Sequence, residues 1–176
     1  MSESTKIHKA HAPLKANFAV FTCSTSRYEA MLRGETTTDI SGDLIESLLK
    51  KANHNVVFRR TVSDDKKMIE HSIKSVLDNP GLDAAIFCGG TGVTKRDITI
   101  ESVTPFLEKM LPGFGEIFRR LSFDRTGSSA VMSRAIAGIS SGKAFFCIPG
   151  SPDAVQVSVE LLISPEVGHI VKHARE

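Results

Sequence analysis

Cysteine is scarce. Cys23, Cys88 and Cys147 are the only three in 176 residues, far apart and with no CxxC pair. That number is too small and too odd for a disulfide framework, so each reads as a reduced, small core residue of a cytosolic protein. Surplus charge is also missing. Twenty-two Lys and Arg stand against 20 Asp and Glu, leaving +2. Such a balance gives no electrostatic case for nucleic acid as the main partner. With 41% hydrophobic residues it also argues against wholesale disorder. No apolar run approaches the length that spans a bilayer, and the opening MSESTKIHKAHAPLKA has no apolar h-region of a secretory signal. Three catalytic motifs are missing as well. There is no G-x-x-x-x-G-K-[ST] P-loop, no G-x-G-x-x-G fingerprint and no nucleophile elbow, because the G-x-S-x-G string at Gly138–Gly142 falls between two strands expected as a hairpin and not between a strand and a helix. A Ser-His-Asp hydrolase is therefore poorly supported, and His54, His71, His169 and His173 read as solvated histidines on polar helix faces.

What is present is one domain's length of patterned chain, enough to bury a core without staples. Residues 1–15 read as a flexible tail, and 16–176 as the folded domain. His8 and His11, three apart in the tail, suit a metal only on an ordered helix and otherwise read as solvated. Asn17–Cys23 is a short apolar run that predicts a buried strand. A polar loop is expected from Ser24 to Thr38. A helix over Ile40–Ala52 follows, capped by Asp39 or Thr38, with Ile40, Leu44, Ile45, Leu48 and Leu49 on one face. Asn55–Val62 predicts a second strand. Ser63-Asp64-Asp65 opens a helix that Asn79-Pro80-Gly81 stops. Asp83–Cys88 is a third buried strand. Helices are expected over Thr99–Met110, weakened or kinked by Pro105, and over Gly113–Phe123. Ala135–Ile139 and Lys143–Ile148 read as a hairpin. Asp153–Ile163 reads as a last helix, with a further helical segment after Pro165. Strands alternating with helices, with little alternation inside the strands, point to parallel βαβ units: an α/β, three-layer α/β/α single domain with a mostly parallel sheet.

Ligands of open α/β sheets bind at the carboxyl ends of the strands. Those ends carry Thr22-Cys-Ser24-Thr-Ser-Arg27, Ser63-Asp64-Asp65, Gly89-Gly90-Thr91-Gly92-Val-Thr94-Lys95-Arg96-Asp97 and Pro149-Gly150-Ser151-Pro152. The glycine stretch reads in two ways: a tight turn, or a cradle whose N–H groups approach phosphate oxygens. Asp97 can hold Mg²⁺, which favours one or two carboxylates plus phosphate oxygens, or can cap the helix through Thr99. Asp64 offers the same pair of readings. Arg134, after Ser133, has a fork of donors for phosphate or for a surface ion pair. Glu116 falls in a first helical turn, where the dipole favours a carboxylate without any catalytic role.

In this order, the glycine stretch, Arg96-Asp97-Ile-Thr99, Pro112-Gly-Phe-Gly-Glu116, Ser133-Arg134-Ala135 and Pro149-Gly-Ser-Pro152 resemble the MoaB/MogA family of molybdopterin-binding proteins, which includes the G domains of gephyrin and Cnx. Thr22–Arg27 and Asp39-Ile-Ser-Gly42 match its pattern too, and the likeness runs from about residue 15 to 172. The resemblance implies a cytoplasmic trimer or hexamer in molybdenum or tungsten cofactor biosynthesis. It implies transfer of AMP from Mg-ATP to molybdopterin with release of pyrophosphate, and a downstream insertion protein. It further implies that Gly89, Gly90, Thr91, Gly92, Thr94 and Thr99 bind nucleotide and phosphate. Asp64 and Asp97 become the essential acids, with Mg²⁺ between them and ATP. Ser24, Ser133, Arg134, Pro149, Gly150 and Ser151 fall on the molybdopterin side, and Glu116 near the site. The alternative within the family is a molybdopterin carrier without chemistry. Asp153 departs from the pattern, since Lys is common there; Lys143, Lys95 and Arg27 are the candidates to compensate. Phe114, Phe118 and Phe123 are candidates for a subunit contact or for ordinary core.

Overall fold

A computed structural model describes residues 15–176. The expected tail, with His8 and His11, falls almost wholly outside them. A six-stranded sheet runs β2-β1-β3-β6-β5-β4. The strands are β1 (Asn17–Cys23), β2 (Asn55–Val62), β3 (Ala84–Cys88), β4 (Lys109–Met110), β5 (Ile136–Ser140) and β6 (Lys143–Ile148). β2, β1, β3 and β6 are mutually parallel, whereas β5 pairs antiparallel with β6 and β4 with β5. Residues of β1, β3 and β6 are almost all buried, because helices cover both faces and leave no polar side. β2 is an edge strand, and its exposure alternates along its length.

One face is covered by α2 (Ile40–Lys51) and by a long helical run made of α6 (Pro152–Gln156), a π-helical stretch Val157–Ile163 and α7 (Ser164–Ala174). Ile45, Leu49, Val155, Val159, Ile163, Val167 and Val171 pack there on Phe18, Val20, Ile86 and Phe146. The other face is covered by α3 (Lys66–Leu77) and α4 (Thr99–Val103), whose Ile69, Ile73, Val76 and Val103 meet Phe21, Phe87, Phe145 and Cys147. Phe21 and Phe87 stack with ring centroids 4.7 Å apart. Adjacent residues of β1 thus serve opposite layers, as the pleat requires.

Five expectations need correction. Ser24–Thr38 is not all loop: α1 spans Thr25–Leu32, capped by Ser24, whose Oγ accepts from the Arg27 N–H. It buries no residue, so no apolar stripe announced it. The helix expected over Thr99–Met110 stops at Val103, passes through a 3₁₀ turn at Thr104–Phe106 and gives way to β4. Pro105, lacking an N–H, sits at that break. The two C-terminal helices join into one run, Pro152–Ala174, long and apolar enough by length and composition to cross a membrane. Half of its apolar window is buried against the sheet, as a core helix would be. His54 is buried rather than solvated: its Nδ1 accepts from the Ala16 N–H at 3.2 Å, which leaves Nε2 to donate to the Ser164 carbonyl at 3.1 Å. Lys143 lies at the amino end of β6, buried, donating to the Asn79 and Leu82 carbonyls. The fifth helix, α5, covers Pro112–Thr126 and leads into a 3₁₀ stretch, Gly127–Met132.

Candidate functional site

The carboxyl ends of the four parallel strands are in register. Cys23 pairs with Val62, Thr22 with Cys88, and Cys88 with Ile148. The chain leaves β1 toward β2 on one side and returns to β3 on the other, so a crevice opens between the loops after β1 and β3. The loop after β3 takes two left-handed residues in succession, Gly89 at φ 103° and Gly90 at φ 60°. A Cβ on Gly89 would stand 2.5 Å from the Cys23 carbonyl oxygen. One on Gly90 would collide with Thr99 Oγ1 and stand 2.6 Å from Asp64 Oδ1. Backbone shape and lack of space both require glycine here.

Asp64 is anchored through one oxygen only. Its Oδ2 accepts from the Thr25 N–H at 3.0 Å and from Thr25 Oγ1 at 2.9 Å. Its Oδ1 is buried beneath Gly90 with no hydrogen-bond partner among the described residues, and Thr99 Oγ1 is in the same condition. Two orphaned buried oxygens beside a glycine loop are costly unless a ligand satisfies them. Asp64 does not cap α3. Asp65 does, accepting from the Met68 N–H at 2.9 Å. Cys23 lies beside this cluster. Burial pushes its thiol up to about 12, the neighbouring Thr99 hydroxyl works the other way, and the Asp64 charge adds to the rise. Sulfur is too weak an acceptor to satisfy Thr99. A thiol held protonated is no nucleophile. A cleft of about 470 Å³ opens here, lined by Cys23, Ser24, Thr25, Asp64 and Arg96 among others.

Asp97 does not cap α4 either; the capping position belongs to Ile98, without a side-chain bond. Its Oδ2 accepts from Thr94 Oγ1 at 2.7 Å and from the Thr94 N–H at 2.9 Å, closing the loop on itself. The Thr94 hydroxyl leads the causes that hold this carboxyl below its usual range; burial opposes, and the Thr94 and Gly92 N–H groups and the Arg134 charge add to the lowering. Thr91 is buried, and the Thr99 N–H donates to the Gly90 carbonyl at 3.0 Å. Arg134 Nε donates to the Thr91 carbonyl at 2.9 Å, while its two terminal nitrogens meet Glu101 at 2.6 and 3.2 Å. Ser133 is next to it in the chain.

Pro149, Gly150 and Ser151 lie against the same loop. The Gly89 N–H donates to the Ile148 carbonyl at 3.0 Å, and a Cβ on Gly150 would stand 3.4 Å from Gly89 Cα. Ser41 Oγ donates to the Gly150 carbonyl at 2.6 Å, tying α2 to this turn across 109 residues. Ser151 caps α6, and Asp153 is exposed in its first turn. Of the cations proposed to offset Asp153, Lys143 is spent on the Asn79 and Leu82 carbonyls at the amino end of β6, the opposite end of the strand from Pro149–Ser151. Arg27 donates to the Thr38 carbonyl and lies 3.9 Å from Asp39. Lys95 is exposed on the glycine-loop side. Glu116 is exposed on α5, beside Gly115, which packs on the Ala135 carbonyl. The motif reading passed over Thr25, Glu101 and Ser41 as site residues. Thr25 and Ser41 sat inside quoted motifs, whereas nothing local marks Glu101.

The comparisons with known proteins agree with this architecture. A family profile described as "Probable molybdopterin binding domain" matches residues 19–169. "Molybdenum cofactor biosynthesis protein B" of Bacillus cereus is 42% identical over 93% of this chain and 93% of its own. "Molybdopterin adenylyltransferase" of Pyrococcus furiosus is 41% identical over 96% of this chain and 97% of its own. The crystal structure of the tungsten cofactor synthesizing protein MoaB from Pyrococcus furiosus superposes with a TM-score of 0.78 at 41% identity, covering 94% of this chain and all of that one. The glycine loop, the two acids beside it and these full-length likenesses lead to one conclusion: the chain belongs to the molybdopterin-binding domain family of cofactor-biosynthesis proteins.

Proposed function

We propose that the protein transfers AMP from Mg-ATP to the terminal phosphate of molybdopterin, releasing pyrophosphate. The observation that carries this reading is the buried, unpartnered Oδ1 of Asp64 under the glycine loop. A phosphate oxygen of molybdopterin attacks the α-phosphorus of ATP; the new P–O bond forms as the bond to the bridging oxygen breaks, and pyrophosphate leaves. Such transfers need alignment and charge neutralisation more than a protein nucleophile. Backbone N–H groups of Gly90 and Thr91 would meet charge developing on phosphoryl oxygens, while those of Gly89 and Gly92 hold the loop in shape through the Ile148 carbonyl and Asp97. Arg134, oriented by Glu101, keeps Thr91 and hence that loop in place. Ser24, Ser133 and the Pro149–Ser151 turn form the molybdopterin side. Asp64 Oδ1 and Asp97 fit a hard cation that takes one or two carboxylates and completes its shell with water and phosphate. A magnesium ion held there supplies charge neutralisation on the polyphosphate.

The same reading places the protein in the cytoplasm as a trimer or a dimer of trimers that hands its product to an insertion protein. Apolar residues are exposed on α5 and the 3₁₀ stretch that follows: Ile117, Phe123, Val131 and Met132. Of the three phenylalanines considered for a contact, Phe123 is exposed, whereas Phe118 is buried and Phe114 packs in the core.

The test is pyrophosphate release and formation of adenylylated molybdopterin by purified protein with molybdopterin and Mg-ATP. Turnover that disappears without Mg²⁺ and in Asp64→Ala and Asp97→Asn is expected. Unchanged transfer in either variant defeats the assignment. A second reading, a carrier without chemistry, is favoured by Asp153, an exposed anion beside the turn that would meet an anionic substrate. Stoichiometric molybdopterin binding without ATP consumption would establish it instead.

A further inference from the structure

Four residues at spacings of three, four and three, Glu166, His169, His173 and Glu176, align along one side of α7 and the residues just after it. The two imidazoles meet edge-on, with centroids 4.7 Å apart and planes at 66°. Their Nε2 atoms stand 2.9 Å apart. Each Nδ1 faces a carboxylate: His169 lies 3.7 Å from Glu166 Oε2, and His173 lies 2.8 Å from Glu176 Oε2. The histidine side chains are 27% and 44% exposed, open to a hydrated ion. The array is far from the glycine loop. Arg175, in the same turn as His173, donates to the Gly142 carbonyl and to Asp83, which precede the amino ends of β6 and β3.

We propose that His169 and His173 form a two-histidine site for a borderline divalent transition ion of the nickel, copper or zinc class. Imidazole nitrogen suits these ions, whereas Mg²⁺ and Ca²⁺ take oxygen. With metal–nitrogen bonds of about 2.0–2.1 Å, two ligands at right angles stand about 2.9 Å apart. The two Nε2 atoms already hold that spacing, which belongs to octahedral or square-planar coordination and places Ni²⁺ and Cu²⁺ ahead of tetrahedral Zn²⁺. A carboxylate only accepts, so Glu176 draws the His173 hydrogen to Nδ1 and leaves its Nε2 lone pair outward. His169 Nε2 donates into that lone pair in the metal-free pair. Binding moves the His169 hydrogen to Nδ1, on the Glu166 side. His173, with Glu176 at 2.8 Å, has the carboxylate-backed arrangement that raises ligand basicity. Water fills the remaining positions, so the site is bidentate and exchangeable.

Titration of the full chain with NiCl₂ by calorimetry tests this, with thermal unfolding in parallel. One ion per chain and a raised Tm are expected, because the ion binds the formed helix and not the unfolded chain. His169→Gln and His173→Gln should each weaken binding by at least about tenfold, as chelation falls to single-ligand attachment. Glu176→Gln should weaken it less and keep the stoichiometry. The double variant His8→Ala/His11→Ala should bind as the parent does. Circular dichroism of the metal-free variants checks that they fold, as substitution of exposed side chains predicts. Undiminished Ni²⁺ affinity in both single histidine variants overturns the proposal. So does loss of binding confined to the His8/His11 variant, or displacement of Ni²⁺ by an equal concentration of Mg²⁺.

Discussion

At the scale of single residues, the glycine loop is held by a handful of atoms. Gly90→Ala meets both a left-handed φ and the oxygens of Asp64 and Thr99. It should cost about 1–3 kcal/mol of stability in urea unfolding, and AMP transfer should fall with it. Glu101 and Arg134 form a bidentate pair on half-exposed side chains, so their coupling in a double-mutant cycle should be small, about 0.2–1 kcal/mol. The effect of Glu101→Gln should appear chiefly in transfer, because Arg134 also holds the Thr91 carbonyl. A Glu101→Gln enzyme with unchanged kcat and KM would show that this pair does not position the loop. Neither partner could be found from local sequence. Glu101 sits on α4 and Arg134 precedes β5, 33 residues later.

At the scale of elements, caps decide which acid does what. Asp65→Ala should destabilise α3 and the fold by about 1 kcal/mol, whereas Asp64, one residue earlier, makes no cap. Chemical denaturation of the two variants side by side separates these roles. Asp39 caps α2, accepting from the Gly42 N–H at 3.0 Å and from Thr22 Oγ1 at 2.7 Å, with Arg59 at 3.1 Å. Burial opposes its ionisation, but Thr22, Gly42 and Arg59 together outweigh burial and hold its carboxyl below the ordinary value. A lowered folded pKa gives stability that is fully present above the unfolded value, about 3.9, and is lost as pH falls through the folded one. The parent should therefore lose stability more steeply than Asp39→Asn below about pH 4. Equal slopes there would remove Asp39 from the account. The element hardest to read was α1. Its residues bury nothing, yet it delivers Thr25 to Asp64 and Ser24 to the cleft.

At the scale of the whole molecule, the layers follow from β1, β3 and β6, which are apolar on both sides and need helices over each face. The proposed assembly belongs to this scale. Sedimentation at micromolar concentration should give a trimer or hexamer, and Val131→Glu should shift it toward monomer without loss of helical signal, because Val131 is 80% exposed in the single chain. A monomeric parent would defeat that expectation.

The strands Asn17–Cys23, Asn55–Val62 and Lys143–Ile148, and the helix from Ile40, were legible residue by residue, because buried runs and helical periodicity are local signals. The glycine loop and its acids were legible as a motif. Tertiary structure alone decided which of Asp64 and Asp65 faces the cleft and that Asp97 closes on Thr94. It also decided that Ser41 reaches Gly150, and that His54 is buried between Ala16 and Ser164. Those choices depend on partners many residues away, or on which lone pair remains unfilled after packing. Local periodicity carries no information about either.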